Sequence, residues 1–200
     1  MANLKKYIQV DVYGKCGDQT CWQGDQNSCY DMLERDYKFY LSFENSFCRD
    51  YATEKFFEML DRRIVPIIYG SYNYSSIAPE HSYIDATKMG ARKLAELLKT
   101  IDQDDNLYNQ FFWWKGKYQI HKERRYFAAK AFCQLCQHLH ENRQIQVYQD
   151  FEAWWSPDNH CHNSGIFVTP FNKFTFDDVD LNSLKPWNSD QHAYHQRDSL

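Results

Sequence analysis

Apolar and polar residues alternate from Tyr7 to Tyr13 and stop at Gly14, the period-two pattern of a half-buried strand. Residues 15–30 are polar and cysteine-bearing, with Gly17 and Gly24, and predict a stapled loop. KFYLSF, 38–43, predicts a second strand. ATEKFFEMLDRR, 52–63, predicts a short helix with Phe56, Phe57, Met59 and Leu60 on or near one face. IVPIIYG, 64–70, predicts a third strand, whose Pro66 suits its start or an edge position. HSYIDA offers a short fourth strand, and TKMGARKLAELLKTID, 87–102, sets Met89, Leu94, Leu97, Leu98 and Ile101 at helical spacing. DNLYNQFFWWK predicts another helix, and KERRYFAAKAFCQLCQHLHEN a long one ending near Asn142. Beyond Trp155 the chain turns polar, with Pro157, Pro170 and Pro186, and its last residues, NSDQHAYHQRDSL, are expected to be disordered. No internal repeat is visible.

Strand, helix, strand and helix joined by short links predict an α/β fold, a parallel sheet flanked by helices. In such sheets ligands bind beyond the carboxyl ends of the strands. One such end carries Glu44, Asn45, Ser46, Arg49, Asp50 and Tyr51 between a strand and a helix, with no Gly or Pro. Thr53 can cap that helix, whose free N–H groups and partial positive charge suit an anion such as phosphate. Lys55 falls in the first turn, where the helix dipole opposes a cation unless an anion shares the site. Tyr51 can stack on a flat ring, Asn45 can donate and accept, and Glu54 can accept from sugar hydroxyls. The bland alternative is an N-terminal helix acid, a solvated lysine and ordinary loop formers. No glycine-rich phosphate cradle, GxGxxG or GxxxxGK[ST], is present.

The totals narrow the classes. Two hundred residues suit one domain with a tail, and 43% hydrophobic with 18% aromatic content is enough for a core. A net charge of -4 argues against a nucleic acid partner. No apolar run reaches the ~18 residues of a membrane span, and MANLKKYIQV has no signal-peptide core. Seven cysteines, four of them in the first 48 residues, favour an oxidising compartment, and an odd count leaves at least one thiol without a partner in the chain. A secretory address without a targeting segment predicts that an N-terminal part is missing.

YKFYLSFENS followed by RDYATEKFF resembles the donor-binding signature of the alpha-1,3-fucosyltransferase family, densely over about twenty residues. VDVYGKCG, VPIIYG, DNLYNQFFWWK, the FCQLC pair and the segment from the Trp pair to Cys161 look like further landmarks. The resemblance covers residues 4 to about 161. It implies the C-terminal, GDP-fucose-binding half of a GT-B enzyme: a Rossmann-like donor domain over 1–161 and a polar, partly disordered tail over 162–200. It implies inverting transfer of L-fucose to N-acetylglucosamine of glycoprotein glycans, with no cofactor required. It also implies a lumenal Golgi location, with membrane attachment only through an N-terminal anchor outside these residues.

Carried over by position, the resemblance implies that Asn45 bonds the diphosphate region and that Tyr40 and Tyr51 line the nucleotide pocket. Glu54 would bind donor hydroxyls, and Lys55 would neutralise the diphosphate and stabilise charge on the leaving GDP. Tyr13 and Gly14 would border the base. The pattern departs shortly upstream of VDVYG, where the family has an arginine that also grips the diphosphate: here the chain reads MANLKK. The acceptor domain with its carboxylate base also falls outside the match, so the N-glycan acceptor would be met through that missing domain. Weak GDP binding and little or no transfer are expected of the chain alone.

Cys133, Cys136, His138, His140, His160, Cys161 and His162 invite a zinc reading, against which the second half lacks clean spacing. The resemblance implies instead that the CxxC pair bonds to cysteines of the other domain. Cys21 and Cys29 are spaced to close a small loop, while Cys16, Cys48 and Cys161 have no assignable partners. Asp178 and Asp180 form a DxD in the polar tail, read as solvated charge. Phe111, Phe112, Trp113 and Trp114 are read as core packing, Lys115 as surface, and Lys122, Glu123, Arg124 and Arg125 as a solvated helix face. The competing functional readings are a non-catalytic GDP-sugar or partner-binding module and a zinc-stabilised interaction protein.

Overall fold

The computed structural model describes residues 2–14, 17–21, 26–121, 124–142, 144–145, 147–156 and 161–162; the side chains of 26, 27, 124–127 and 162 lie outside that description. Also outside it are the tail with Asp178, Asp180 and the prolines at 157, 170 and 186, and with them Cys16, Gly24, Lys122, Glu123 and His160.

The main sheet is parallel. β1 (Phe39–Phe43) pairs with β3 (Val65–Tyr69), Phe39 opposite Val65, and β3 pairs with β4 (Ile84–Asp85). All five residues of β3 are buried, as a central parallel strand covered on both faces requires. Val65, Ile67 and Tyr69 face one way, onto α3 (Ala91–Gln103), where Leu94, Ala95, Leu98 and Ile101 complete the largest core cluster. Ile68 faces the other way, onto α2 (Glu54–Asp61), where it packs with Phe56, Leu60, Tyr74 and Trp114. Met59, Ile64 and Leu33 form a third cluster at the far end of α2, below α1 (Gln26–Asp36). The sequence-based α/β reading therefore holds: α2 and α3 cover opposite faces of one sheet.

Four local expectations change. Residues 7–13 form no strand: Tyr13 makes an isolated bridge to Gln19, and the preceding alternation reflects burial alone, Ile8 and Val10 packing against the core while Tyr7 and Gln9 stay exposed. Period two reports which way side chains point, and an unpaired chain satisfies it as well as a ladder does. Residues 26–30, read within a loop, begin α1, held by Leu33 in the core and by Arg62 reaching Asp31 and Glu34. Pro66 is neither first nor on an edge strand, since it lies second in the central one. Val65 N–H donates to the Lys38 carbonyl at 2.9 Å and Glu44 N–H to the Tyr69 carbonyl at 3.0 Å, so odd-numbered positions of β3 bond β1. The nitrogen of Pro66 faces β4, whose pairing begins only at Ile67, so the missing donor breaks no ladder bond. The helix read over 105–115 is regular only in α4 (Asp105–Gln110), and turns carry the chain on to Trp114.

The aromatic run is core, as read: Trp114 is buried, and Phe111, Phe112 and Trp113 pack against the clusters. Lys115 is more than surface, because its ammonium donates to the carbonyls of Leu60 and Asp61 at 3.1 and 2.8 Å, capping the last turn of α2. Sequence reasoning also passed over β2 (Phe47–Cys48), which pairs antiparallel with β5 (Cys161–His162). Cys48 and Cys161 form a disulfide there, and Cys21 and Cys29 form the expected short one. Beyond Ile120 the chain carries α5 (Arg124–Glu141), exposed throughout its described side chains, and α6 (Phe151–Trp155).

Candidate functional site

β1 alternates strictly. Phe39, Leu41 and Phe43 pack toward α3, which leaves Tyr40, Ser42 and Glu44 on the side of α2. This parity places a hydroxyl and a carboxylate under the amino end of a helix. Ser42, fully buried, donates to the Lys55 carbonyl at 3.0 Å and ties the first turn of α2 to the sheet. Glu44, 2% exposed, accepts from both the backbone N–H and the hydroxyl of Thr53, each at 2.8 Å. Tyr74 OH lies 3.4 Å from the same carboxylate and is pushed up in pKa by its own burial and then by the charge of Glu44. Gly70 makes room: a Cβ there would sit 3.0 Å from Cγ of Glu44.

Thr53 is the N-cap residue, as expected, but its hydroxyl is committed to Glu44 and makes no side-chain cap bond to α2. Lys55 points back over this end. Its ammonium lies 3.2 Å from Oδ1 of Asn45, to which it donates, and 3.7 Å from Glu44. Asn45 and Glu54 are exposed, and Tyr51 is half-buried after a turn in which Asp50 adopts a left-handed φ of 60°. Between them, β2 is fastened to β5 by the Cys48–Cys161 bridge, and Ser71 donates its hydroxyl to the Cys48 carbonyl. The polar residues between strand and helix are thus an anchored loop, with one carboxylate serving the helix start from below.

Tyr13 and Gly14 stand elsewhere. They line a cavity of about 1350 Å³ along the open edge of β1, with Asp11, Tyr30, Tyr37 and Tyr40 among its walls. Gly14 has φ +92°, a conformation that favours glycine, and open space where a side chain would stand. Asn45, Tyr51, Glu54 and Lys55 do not line this cavity. Tyr40 links the two groups: it forms part of the cavity wall, and its hydroxyl pKa is raised by burial, then by Tyr30 and by the charge of Glu54. The seven predicted residues therefore fall into an anion-suited corner and an aromatic cavity that share Tyr40.

Glu44 is the residue that sequence reasoning named but gave no task. The available signal was parity: an acid two positions after Ser42 on a strand whose even positions face a helix. Among the described residues no group of three or more His, Cys, Asp or Glu side chains is arranged to hold a metal, and Cys133 and Cys136 are free and exposed on α5.

Residues 1–154 match the family described as glycosyltransferase family 10 (fucosyltransferase) C-term. The chain is 42% identical over 156 residues to alpha-(1,3)-fucosyltransferase C of Drosophila melanogaster, covering 76% of this chain and 35% of that protein. It is 41% identical over 165 residues to glycoprotein 3-alpha-L-fucosyltransferase A of the same organism, covering 79% and 32%. GDP-fucose protein O-fucosyltransferase 3 of Rattus norvegicus is 30% identical over 195 residues, covering 82% and 40%. The chain thus spans about a third of the length of the relatives it matches.

Proposed function

The chain belongs to glycosyltransferase family 10, the fucosyltransferases, and from that premise we propose that it forms the donor-nucleotide part of an alpha-1,3-fucosyltransferase. The observation that carries this reading is the corner where Lys55, Asn45 and the start of α2 converge. The buried Glu44 carboxylate already holds Lys55 at this helix end, and the part-exposed ammonium, the Asn45 amide and the leading N–H groups of α2 together suit a further anion, which a nucleoside diphosphate supplies.

In this reading Lys55 and Asn45 take the diphosphate of GDP-fucose, with the leading N–H groups of α2. Glu54 takes donor hydroxyls, Tyr40 and Tyr51 line the nucleotide pocket, and Tyr13 and Gly14 border the base. An acceptor hydroxyl attacks the anomeric carbon as its bond to the β-phosphate oxygen breaks, with inversion. The electron pair leaves with GDP, where Lys55 and the helix end stabilise the new charge. No metal or other cofactor is required. The acceptor proton goes to a carboxylate in the part of the relatives' length that this chain does not span. That part also chooses the acceptor, N-acetylglucosamine of a glycoprotein glycan in this reading. The names of the relatives cover both a glycoprotein 3-alpha-L-fucosyltransferase and a protein O-fucosyltransferase. The two disulfides suit the lumenal side of the Golgi.

Calorimetric titration with GDP, with ADP as control, tests this reading. Selective GDP binding that weakens roughly tenfold or more in Lys55→Ala is expected, the scale of a lost charge-assisted contact. Equal binding of the two nucleotides, or an indifferent Lys55→Ala, would remove the donor-site assignment. GDP binding without any fucosyl transfer, even when the remaining domain is supplied, would favour a binding module instead.

A further inference from the structure

We propose that Glu44 is a positioning residue for the donor diphosphate, aiming both the amino end of α2 and the ammonium of Lys55. The inference rests on the donor-site reading above. The side chain of Glu44 is fully buried. A carboxylate in that position is a weak device for stability, because an apolar side chain of similar size does as well in most cores. Most of its close partners lie at the start of α2: Thr53 N–H and Thr53 Oγ1, at the N-cap, each at 2.8 Å, and Lys55 Nζ at 3.7 Å, with Tyr74 OH at 3.4 Å the further one.

Each contact has a consequence for an anion. With the Thr53 hydroxyl turned down to Glu44, it does not occupy the leading N–H groups of α2 as an ordinary cap would. With Glu44 beneath it, Lys55 tolerates a helix end that would otherwise repel it, and it retains a side chain 26% exposed toward the open side. Asn45 holds the ammonium from the loop while Glu44 holds it from the core. The arriving diphosphate then meets a cation and a helix end that are already in place.

The test is a double-mutant cycle on GDP affinity in the full chain, with thermal melts alongside. Glu44→Gln keeps the size and an acceptor for Thr53 N–H while removing the charge. Acting through Lys55, it is expected to weaken GDP binding about fivefold to thirtyfold in the wild-type background and less than twofold in Lys55→Ala. A purely structural role would lower the melting temperature without this coupling. Where Glu44→Gln is too unstable to titrate, Thr53→Val removes one donor to the carboxylate without altering any charge, and about a twofold to fivefold loss is expected. Lys55→Ala weakening GDP while Glu44→Gln binds like wild type, or the two adding independently, overturns the role of Glu44 and leaves the donor site standing. An indifferent Lys55→Ala, or a folded wild-type chain that binds no GDP, overturns the donor-site reading and this inference with it.

Discussion

The hydroxyls of Tyr13 and Tyr37 meet at 2.7 Å, and Tyr37 donates onward to Asp11 at 2.8 Å. Since Tyr37 has one proton and spends it on Asp11, Tyr13 is the donor in the first contact. The Asp11 carboxyl is held below the usual carboxylate range, by Tyr37 first and by the Gln9 amide next. The rings of Tyr13 and Tyr37 also meet edge to face, so the pair joins the segment before Gly14 to the residues leading into β1. Tyr37→Phe breaks both hydroxyl contacts, and Tyr13→Phe breaks one. The first should destabilise the chain by about 1–2 kcal/mol and the second by less. Hydrogen exchange should quicken at residues 11–14 in both.

Alkaline pH should weaken the fold through its tyrosines. Tyr108 is pushed up to about 12 by burial, with the charge of Glu34 adding to it, and donates to the carbonyls of Lys38 and Arg63. Tyr74 is raised in the same direction, by its burial first and then by the charge of Glu44. A raised folded-state value means that the unfolded chain loses its proton first, near pH 10. Stability is therefore complete below about pH 10 and falls as pH climbs toward 12. Denaturant melts between pH 9 and 12 should show the decline, and Tyr108→Phe should flatten part of it.

Lys115 lies within 4.8 Å of the Trp114 ring and closes the carbonyl end of α2. Lys115→Met keeps most of the apolar stem and removes the donor. A loss of about 1–2 kcal/mol is expected, because a charge-assisted bond at a helix C-terminus disappears. A melting temperature unchanged within error would deny the cap its importance.

Removing the Cys48–Cys161 bridge should destabilise the fold by about 2–5 kcal/mol, the range for a native disulfide closing a long loop. Cys48→Ser should also weaken GDP, since Cys48 lies between Asn45 and Tyr51 in the anchored loop. Cys133→Ser and Cys136→Ser, on exposed α5, should leave both the melting temperature and GDP affinity unchanged.

The elements with a long-range hydrophobic pattern were legible. β1, β3, α2 and α3 stand within a few residues of their sequence positions, because period and burial coincide in them. The segment 7–13 misled because side-chain alternation carries no information about a hydrogen-bonded neighbour. α1 was hidden because QNSCYDMLERD is mostly polar, and its place depends on contacts with Arg62 and Met59 far along the chain. In the site, Asn45, Glu54 and Lys55 were visible through local spacing and resemblance. Glu44 gains meaning only with Thr53 turned toward it, and the β2–β5 pairing joins segments whose bridged cysteines lie 113 positions apart.

That separation has a consequence for how the protein is made. Cys21 and Cys29 are eight residues apart and can join almost as soon as they emerge from the ribosome. Cys48 has to wait for a partner 113 residues later, an interval of roughly 6 to 23 seconds at ordinary rates of synthesis. Through that time it is an unpaired thiol leaving the ribosome behind Cys16, Cys21 and Cys29. Prompt closure of the short bridge removes two of those three from competition, so the order of oxidation helps guard the loop that the late bridge will fasten.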